Sequence, residues 1–266
     1  MSTTNQGNRK KRRRKKNFAL RIVLYIIILG VFGWAFIKLA TGLIYTYVYG
    51  NTEQDHNIPV TEQETESVDS QADKPDKGSK GYIVIDPGHG GEDSPGCIYG
   101  GLMERDLTLE VAFQLQKDLL EAGYTVLMTR KEDKSVELSE RTKIANESSA
   151  DLFISIHLNA HDNTSVSGIE TWYNPDVNPN SSILAQEVQQ SISAITKAKD
   201  RGIYSNKTLV VIRDTLIPSC LVEVGYLSNQ SEREKICTEA YRKQLSQGII
   251  DGIDQYFKQY PPKKAS

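Results

Sequence analysis

The sequence has few of the residues that build disulfide scaffolds or common hydrolase motifs. It contains three cysteines in 266 residues, Cys97, Cys220 and Cys237, and no two of them form a C-x-x-C pair. A dense disulfide framework and a cysteine zinc knuckle are therefore excluded, and we interpret these residues as small apolar packing groups. The chain also lacks a G-x-S-x-G serine elbow, an H-E-x-x-H helix and a G-K-[ST] phosphate loop. These absences remove three common sequence signatures of enzymes.

The charge is unevenly distributed along the chain. The formal net charge is only -2, yet residues 9–16 are eight consecutive basic residues and residues 51–80 are mostly polar and acidic. A composition of 38% hydrophobic and 25% charged residues is typical of one globular domain with accessory segments.

An apolar segment follows the basic run. Residues 22–37 carry no charge, and Arg21 and Lys38 can snorkel at the two ends of a longer span. We therefore predict a basic cytoplasmic tail over residues 1–17 and a transmembrane anchor over 18–49. The positive-inside rule places the domain that follows the anchor outside the cell membrane. The alternatives are a cleaved signal peptide and a nucleic-acid-binding arm that precedes an apolar helix. We favour the uncleaved anchor, since no A-x-A-like cleavage site follows the apolar segment. We predict no nucleic-acid partner.

Residues 50–80 predict a flexible acidic linker. They are rich in Glu, Asp, Gln, Ser and Thr and nearly free of large apolar residues, so they cannot bury enough surface to offset the entropy of the chain. We expect a tether that keeps the following domain close to the membrane.

Short β-branched runs alternate with amphipathic helices over residues 81–260, which indicates an α/β domain; residues 261–266 form a tail. We predict helices over residues 106–122, 138–147 and 182–195, a last helix along the stripe from Tyr241 to Phe257, and a capping box at Ser231 and Glu234. The predicted strands cover residues 82–85, 125–129, 152–157, 169–173, 209–212 and 221–224.

Three chemically active side chains follow or end predicted strands. His89 comes just after the first strand, His157 ends the strand over 152–157, and Glu223 lies near the end of the last. In an open α/β sheet, functional groups gather beyond the carboxyl ends of the strands. Two histidines and a carboxylate are a known zinc set for amide hydrolysis, so a zinc site is one interpretation and structural histidines are the other. His161 is interpreted as a loop residue.

Five ordered motifs resemble the zinc-dependent N-acetylmuramoyl-L-alanine amidase family. Together they cover nearly all of residues 81–260, and the anchor and linker lie outside the resemblance. Small departures are Cys97, where alanine is more usual, and Tyr226, where phenylalanine is common. The motifs are Asp86-Pro87-Gly88-His89-Gly90-Gly91, Met103-Glu104-Arg105-Asp106-Leu107, residues 141–146, Ser155-Ile156-His157-Leu158-Asn159, and residues 221–229 from Leu221 to Asn229.

The resemblance implies a set of functional residues and a fold. By the resemblance, one zinc ion is bound by His89, Glu104 and His157, Glu223 is the catalytic carboxylate, and the sheet is mixed and largely parallel with flanking helices. Without it, Glu104 would be interpreted as a first-turn carboxylate that the helix dipole favours. Asn159 and Arg141 match motif positions; we predict that they bind substrate, and the alternative is that they only shape the site.

The implied function is hydrolysis of the amide between N-acetylmuramic acid and L-alanine in peptidoglycan. Two alternatives are a catalytically silent peptidoglycan-binding scaffold on the same fold and a zinc peptidase of different bond specificity. The presence of all four chemical residues favours the enzyme over the scaffold. No protein regulator is indicated by the sequence.

Overall fold

The computed structural model describes residues 79–92 and 94–262. The predicted tail and anchor, the predicted linker up to residue 78, and the last four residues lie outside this range. Within the described residues, no helix combines the length and the apolar character that a bilayer span requires.

Eight strands and six helices make up the described domain. The strands are β1 (Tyr82–Pro87), β2 (Ile98–Tyr99), β3 (Leu102–Met103), β4 (Thr125–Met128), β5 (Leu152–Asn159), β6 (Ile169–Tyr173), β7 (Asp200–Ser205) and β8 (Ser219–Tyr226). The helices are α1 (Glu104–Glu121), α2 (Leu138–Glu147), α3 (Ser181–Thr196), α4 (Val210–Arg213), α5 (Gln230–Ile236) and α6 (Glu239–Gln259).

Six strands form one mixed sheet in the order β4-β1-β5-β8-β6-β7, and β2 and β3 form a separate hairpin. Strands β4, β1, β5 and β8 are parallel, β6 is antiparallel to β8, and β7 is parallel to β6. The central strands are almost continuously buried, as expected for parallel strands that are covered on both faces. The predicted α/β class with a mixed, largely parallel sheet is confirmed.

The two faces of the sheet differ in what covers them. Helices α1, α3 and α6 pack on one face and form the larger core with the side chains of Ile85, Ile154 and Val222. Helices α2 and α4 cover the other face over Val84 and Phe153. On that second face the strand ends carry polar side chains instead: Asp86, Ser155, His157, Glu170 and Glu223.

Most predicted boundaries lie within three residues of the observed ones, but the strand predicted over residues 209–212 is wrong. This segment forms the one-turn helix α4, in which the Leu209 carbonyl accepts hydrogen bonds from the Ile212 and Arg213 amides. The turn before it is fixed by Asn206 Oδ1, which accepts from the amides of Thr208 and Leu209. A short apolar run does not distinguish a strand from a buried helical turn, and the Asn206 turn decides the outcome here.

Three further features differ from the sequence predictions. The predicted capping box at Ser231 and Glu234 is wrong, because Asn229 is the N-cap and its side chain accepts from the Glu232 amide. Strand β7 and the β2–β3 hairpin were not predicted. Helix α1 begins at Glu104 rather than at residue 106, which places Glu104 at the first turn.

Candidate active site

His89 lies in the loop that leaves the carboxyl end of β1. Its backbone adopts a φ of 60°, and Gly90 and Gly91 continue the turn at positive φ, a region that glycine enters readily and other residues rarely do. The tight turn keeps the imidazole near the end of the strand. His89 Nδ1 lies 3.2 Å from Ser94 Oγ, a contact that orients the ring and leaves Nε2 for another partner.

Arg141 of α2 holds this loop in place through hydrogen bonds from its guanidinium group. Its Nη1 donates to Asp86 Oδ1 and to the Pro87 carbonyl, each at 2.7 Å, and its Nη2 donates to the carbonyl of His89. Burial alone would raise the pKa of Asp86, but the Arg141 charge and hydrogen bonds from Thr129, Arg141 and Ser155 lower it below its ordinary value. The backbone that presents His89 is therefore fixed by a buried ion pair.

Glu104 is the first residue of α1 and is only 4% exposed. Its Oε2 accepts from the Cys97 amide at 3.0 Å, and its Oε1 accepts from the Leu158 amide at 3.1 Å. Burial acts to raise its pKa, but hydrogen bonds and charges from His157 and His89 lower the pKa well below its usual range. The carboxylate is thus kept ionised, as a metal ligand must be.

His157 brings the second imidazole to the same point. It lies near the carboxyl end of β5, and its Nδ1 is 3.0 Å from Glu104 Oε1. His89 Nε2 is also 3.0 Å from that oxygen, and the two rings meet edge to face at 4.9 Å. Ligand atoms of all three residues lie within 4.8 Å of one another. The predicted ligands are therefore brought together by three separate elements.

Two glycines leave space around this cluster. A Cβ on Gly88 would lie 2.4 Å from the His157 ring, and a Cβ on Gly96 would lie 2.6 Å from Glu104 Oε2 and 2.9 Å from the His89 ring. Any side chain at either position would push a ligand aside. Two imidazoles and one ionised carboxylate match the donor set of a catalytic zinc site with an open position, so the residues present fit that ion.

Glu223 lies on the neighbouring strand on the same side of the sheet. It is the register partner of His157 in the β5–β8 pair. Within residues 79–92 and 94–262, its Oε2 is buried and has no hydrogen-bond partner. Burial, followed by the negative charges of Glu104 and Glu170, raises its pKa well above the ordinary value. A carboxylate whose pKa is raised is a stronger base than an ordinary one, and such a group can take part in proton transfer.

A family model described as N-acetylmuramoyl-L-alanine amidase matches residues 83–255. The chain belongs to this amidase family. It is 37% identical over 191 residues to the uncharacterized protein YqiI of Bacillus subtilis, a match that covers 71% of this chain and 90% of YqiI. It is 35% identical to the germination-specific N-acetylmuramoyl-L-alanine amidase of the same organism, with 68% and 82% of the two chains covered. It is 36% identical to the amidase LytC, of which it covers 35%.

Solved amidase structures share the fold. The N-acetylmuramoyl-L-alanine amidase of Clostridium difficile 630 superposes with a TM-score of 0.64 at 38% identity, covering 68% of this chain and 98% of that one. The CwlD amidase of Clostridioides difficile, solved in complex with the GerS lipoprotein, has a TM-score of 0.64 at 28% identity, with 67% and 99% covered.

The two predicted substrate-binding residues have partners within the amidase domain itself. The Arg141 side chain is buried under the His89 loop. Asn159 Oδ1 accepts from the Ala160 amide, and its Nδ2 donates to Glu170 Oε1 at 2.8 Å. Their contacts with substrate stay predictions. His161 lies in an exposed loop, as predicted, and is not part of the cluster.

Glu170 is the site residue that the sequence analysis missed. It lies on β6 and is the register partner of Glu223 in the antiparallel β6–β8 pair. A signal was present in the sequence, because Glu170 is a lone carboxylate within a predicted strand. An unpaired charge in an apolar strand is costly, so a carboxylate at this position indicates a residue with a specific partner or function.

Proposed function

We propose that this amidase uses one zinc ion to hydrolyse the amide bond between N-acetylmuramic acid and L-alanine in peptidoglycan. The observation that carries the proposal is the convergence of His89, Glu104 and His157 beside the unpartnered Oε2 of Glu223. Family membership supports the choice of bond, since LytC, the germination-specific relative and the Clostridium difficile 630 protein are each named N-acetylmuramoyl-L-alanine amidases.

In this mechanism His89, Glu104 and His157 would hold the zinc. The bound metal supplies Lewis acidity, which lowers the pKa of a coordinated water to about 7 and polarises a carbonyl. Glu223 performs the proton transfer: its Oε2 accepts a proton from the attacking water and then delivers it to the leaving amide nitrogen. Its raised pKa makes the ionised carboxylate a stronger base toward that water than an ordinary glutamate would be.

The structural residues hold these groups in place before substrate arrives. Arg141 fixes the His89 loop through Asp86, and the Cys97 and Leu158 amides fix the two oxygens of Glu104. Pre-organised ligands limit the rearrangement that the reaction would otherwise require.

The test compares the full-length chain with Glu223→Gln. We expect close to one zinc per chain in both proteins, release from purified peptidoglycan of intact stem peptides that begin with L-alanine by the parent, and loss of about 100- to 10,000-fold in kcat for the variant. Chelation should abolish activity and added zinc should restore it. Cuts within the stem would indicate a peptidase, and an inert protein with zinc bound would indicate a scaffold.

We also propose that the domain is anchored in the cell membrane and faces outward. The basic run over residues 9–16 and the uncharged stretch over 22–37 support this orientation. The test is cell fractionation followed by protease treatment of intact spheroplasts. The proposal requires the chain to sediment with membranes and its folded domain to be accessible to protease; a soluble or protected domain would contradict it.

A further inference from the structure

Glu170 lies beside Glu223 and has no part in the mechanism described above. The two residues are register partners in an antiparallel pair, so their Cβ atoms are about 4.5–5.5 Å apart on one face of the sheet. Glu170 is 4% exposed, and its charge acts on Glu223. Two carboxylates this close repel each other unless nearby donors stabilise one of them.

Glu170 accepts hydrogen bonds from three side-chain donors. Its Oε1 accepts from Asn159 Nδ2 at 2.8 Å, and its Oε2 accepts from Arg201 Nε at 2.8 Å and from Tyr226 Oη at 2.9 Å. The Arg201 guanidinium also lies over the Tyr226 ring at 5.1 Å. Glu170 is therefore held by three donors, whereas Glu223 Oε2 has no partner among the described residues.

A bulge in β8 brings Tyr226 to this face. His157 pairs with Glu223 and Asn159 pairs with Tyr226, so two steps along β5 correspond to three along β8. In a regular strand, Tyr226 would point away from the face that carries Glu223, because side chains alternate. The extra residue reverses its direction and places the hydroxyl against Glu170. The local backbone thus directs a donor to Glu170.

We propose that Glu170 is a positioning residue for the amidase reaction: it engages Asn159, Arg201 and Tyr226 and so keeps these donors away from Oε2 of Glu223. The inference rests on the proposed function, in which that oxygen takes a proton from the attacking water. Hydrogen bonds from these donors would stabilise the ionised form of Glu223 and make it a weaker base. Glu170 is distinguished from a catalytic residue because it acts only through its neighbours.

The first variant is Glu170→Gln in the full-length chain. Glutamine preserves the shape of the side chain but removes its charge and one acceptor site, which releases donors toward Glu223. We expect kcat to fall about 10- to 100-fold, the range seen when supporting hydrogen bonds around a reactive group are lost. KM and the zinc content should stay within about twofold of the parent.

The decisive variant is the double substitution Glu170→Gln with Tyr226→Phe. It deletes one of the donors that the single substitution releases, so we expect kcat to rise severalfold above that of Glu170→Gln. If Glu170 only stabilises the fold, a second lesion in the same network would lower kcat further or leave it unchanged. A merely structural role of Glu170 would not produce a recovery of kcat when the Tyr226 hydroxyl is removed.

Thr171→Val is the matched control on the same strand. Thr171 faces away from the site, and its hydroxyl donates to Gln189 Oε1 at 2.8 Å. Its loss should lower the melting temperature and leave kcat unchanged. A Glu170→Gln protein with parental kcat, a fall in kcat that follows the melting temperature in both variants, or no recovery in the double variant would overturn the inference. An inactive parent chain would overturn the proposed function as well.

Discussion

Arg141 Nη1 donates to Asp86 Oδ1 at 2.7 Å in the interior of the domain, beneath the loop that carries His89. The two side chains are 3% and 0% exposed, so neither charge has water as an alternative partner. The pair therefore connects the stability of the domain to the position of His89 in the candidate metal site.

We expect Asp86→Asn to destabilise the domain by about 3–5 kcal/mol, because it leaves the Arg141 charge buried and unpaired. The folded pKa of Asp86 is below its ordinary value of 3.8, so its contribution is complete above about pH 4 and is lost as the pH falls through the folded pKa. Calorimetry from pH 7 to pH 2 should show that the difference in the free energy of unfolding between the parent and Asp86→Asn becomes smaller below pH 4.

The control for this experiment is Asp214→Asn, which removes an exposed pair with Arg213. Exposed pairs contribute little to stability, so its melting curve should match that of the parent. If the difference in stability between Asp86→Asn and the parent did not change with pH, the destabilisation could not be assigned to the ionised Asp86 carboxylate.

Gly96→Ala should weaken zinc binding, whereas Gly101→Ala should not. Both glycines have positive φ, 71° and 81°, so both substitutions carry a similar backbone strain of about 1–2 kcal/mol. Only at Gly96 does the new methyl group meet Glu104 and His89, since nothing lies within 4 Å of a Cβ on Gly101. Zinc titration of the two variants checks the difference; equal affinities would show that the space beside Glu104 is unimportant.

His157→Ala should remove stoichiometric zinc and lower kcat by about 100-fold or more, because the loss of the Lewis acid raises the barrier by several kcal/mol. His161→Ala is the natural comparison, as its imidazole lies in an exposed loop and accepts from the Asn163 amide. Its zinc content and kcat should equal those of the parent. Elemental analysis with a turnover assay checks both, and zinc loss in the His161 variant would mean that the cluster extends further.

Gly248→Ala should destabilise the domain, although alanine normally favours a helix over glycine by about 1 kcal/mol. A Cβ on Gly248 would lie 2.5 Å from the Cα of Ile192, so α3 and α6 would have to separate. Overpacking of this kind costs about 1–3 kcal/mol. Urea unfolding shows whether the free energy of unfolding falls or rises in Gly248→Ala. The control is the exposed neighbour Gln247→Ala, whose free energy of unfolding should lie within about 0.5 kcal/mol of the parent value. A stabilised Gly248→Ala protein would contradict the close approach of the helices.

The sequence predicted the elements in which the spacing of apolar residues is clear within the element itself. Strand β6 and helix α2 have the predicted bounds, because their apolar spacing and flanking residues leave one interpretation. Strand β7 was missed because Asp200, Arg201 and Gly202 give it no apolar alternation, and its position depends on pairing with β6. Pairing across the chain overrides weak local propensity.

The site was predicted in part from residue types and in part from resemblance. His89, His157 and Glu223 could be selected because they end or follow strands, and strand ends meet at one edge of a sheet. Glu104 could not be selected in this way, since its carboxylate is held by the Cys97 and Leu158 amides, which only the fold brings to it. The partners of Glu170 were also hidden, because Tyr226 reaches it only through the bulge in β8.

Strand β1 begins at Tyr82 and ends just before His89, so about 20 Å of extended chain separates the start of the domain from the candidate metal ligands. The last described residues return to that same starting end, where a Cβ on Gly81 would contact Phe257 and Pro262. Both ends of the described range, residues 79 and 262, therefore lie at the end of the sheet opposite His89, Glu104 and His157. A resin, a fluorophore or a fusion partner joined there would stand well away from these three side chains.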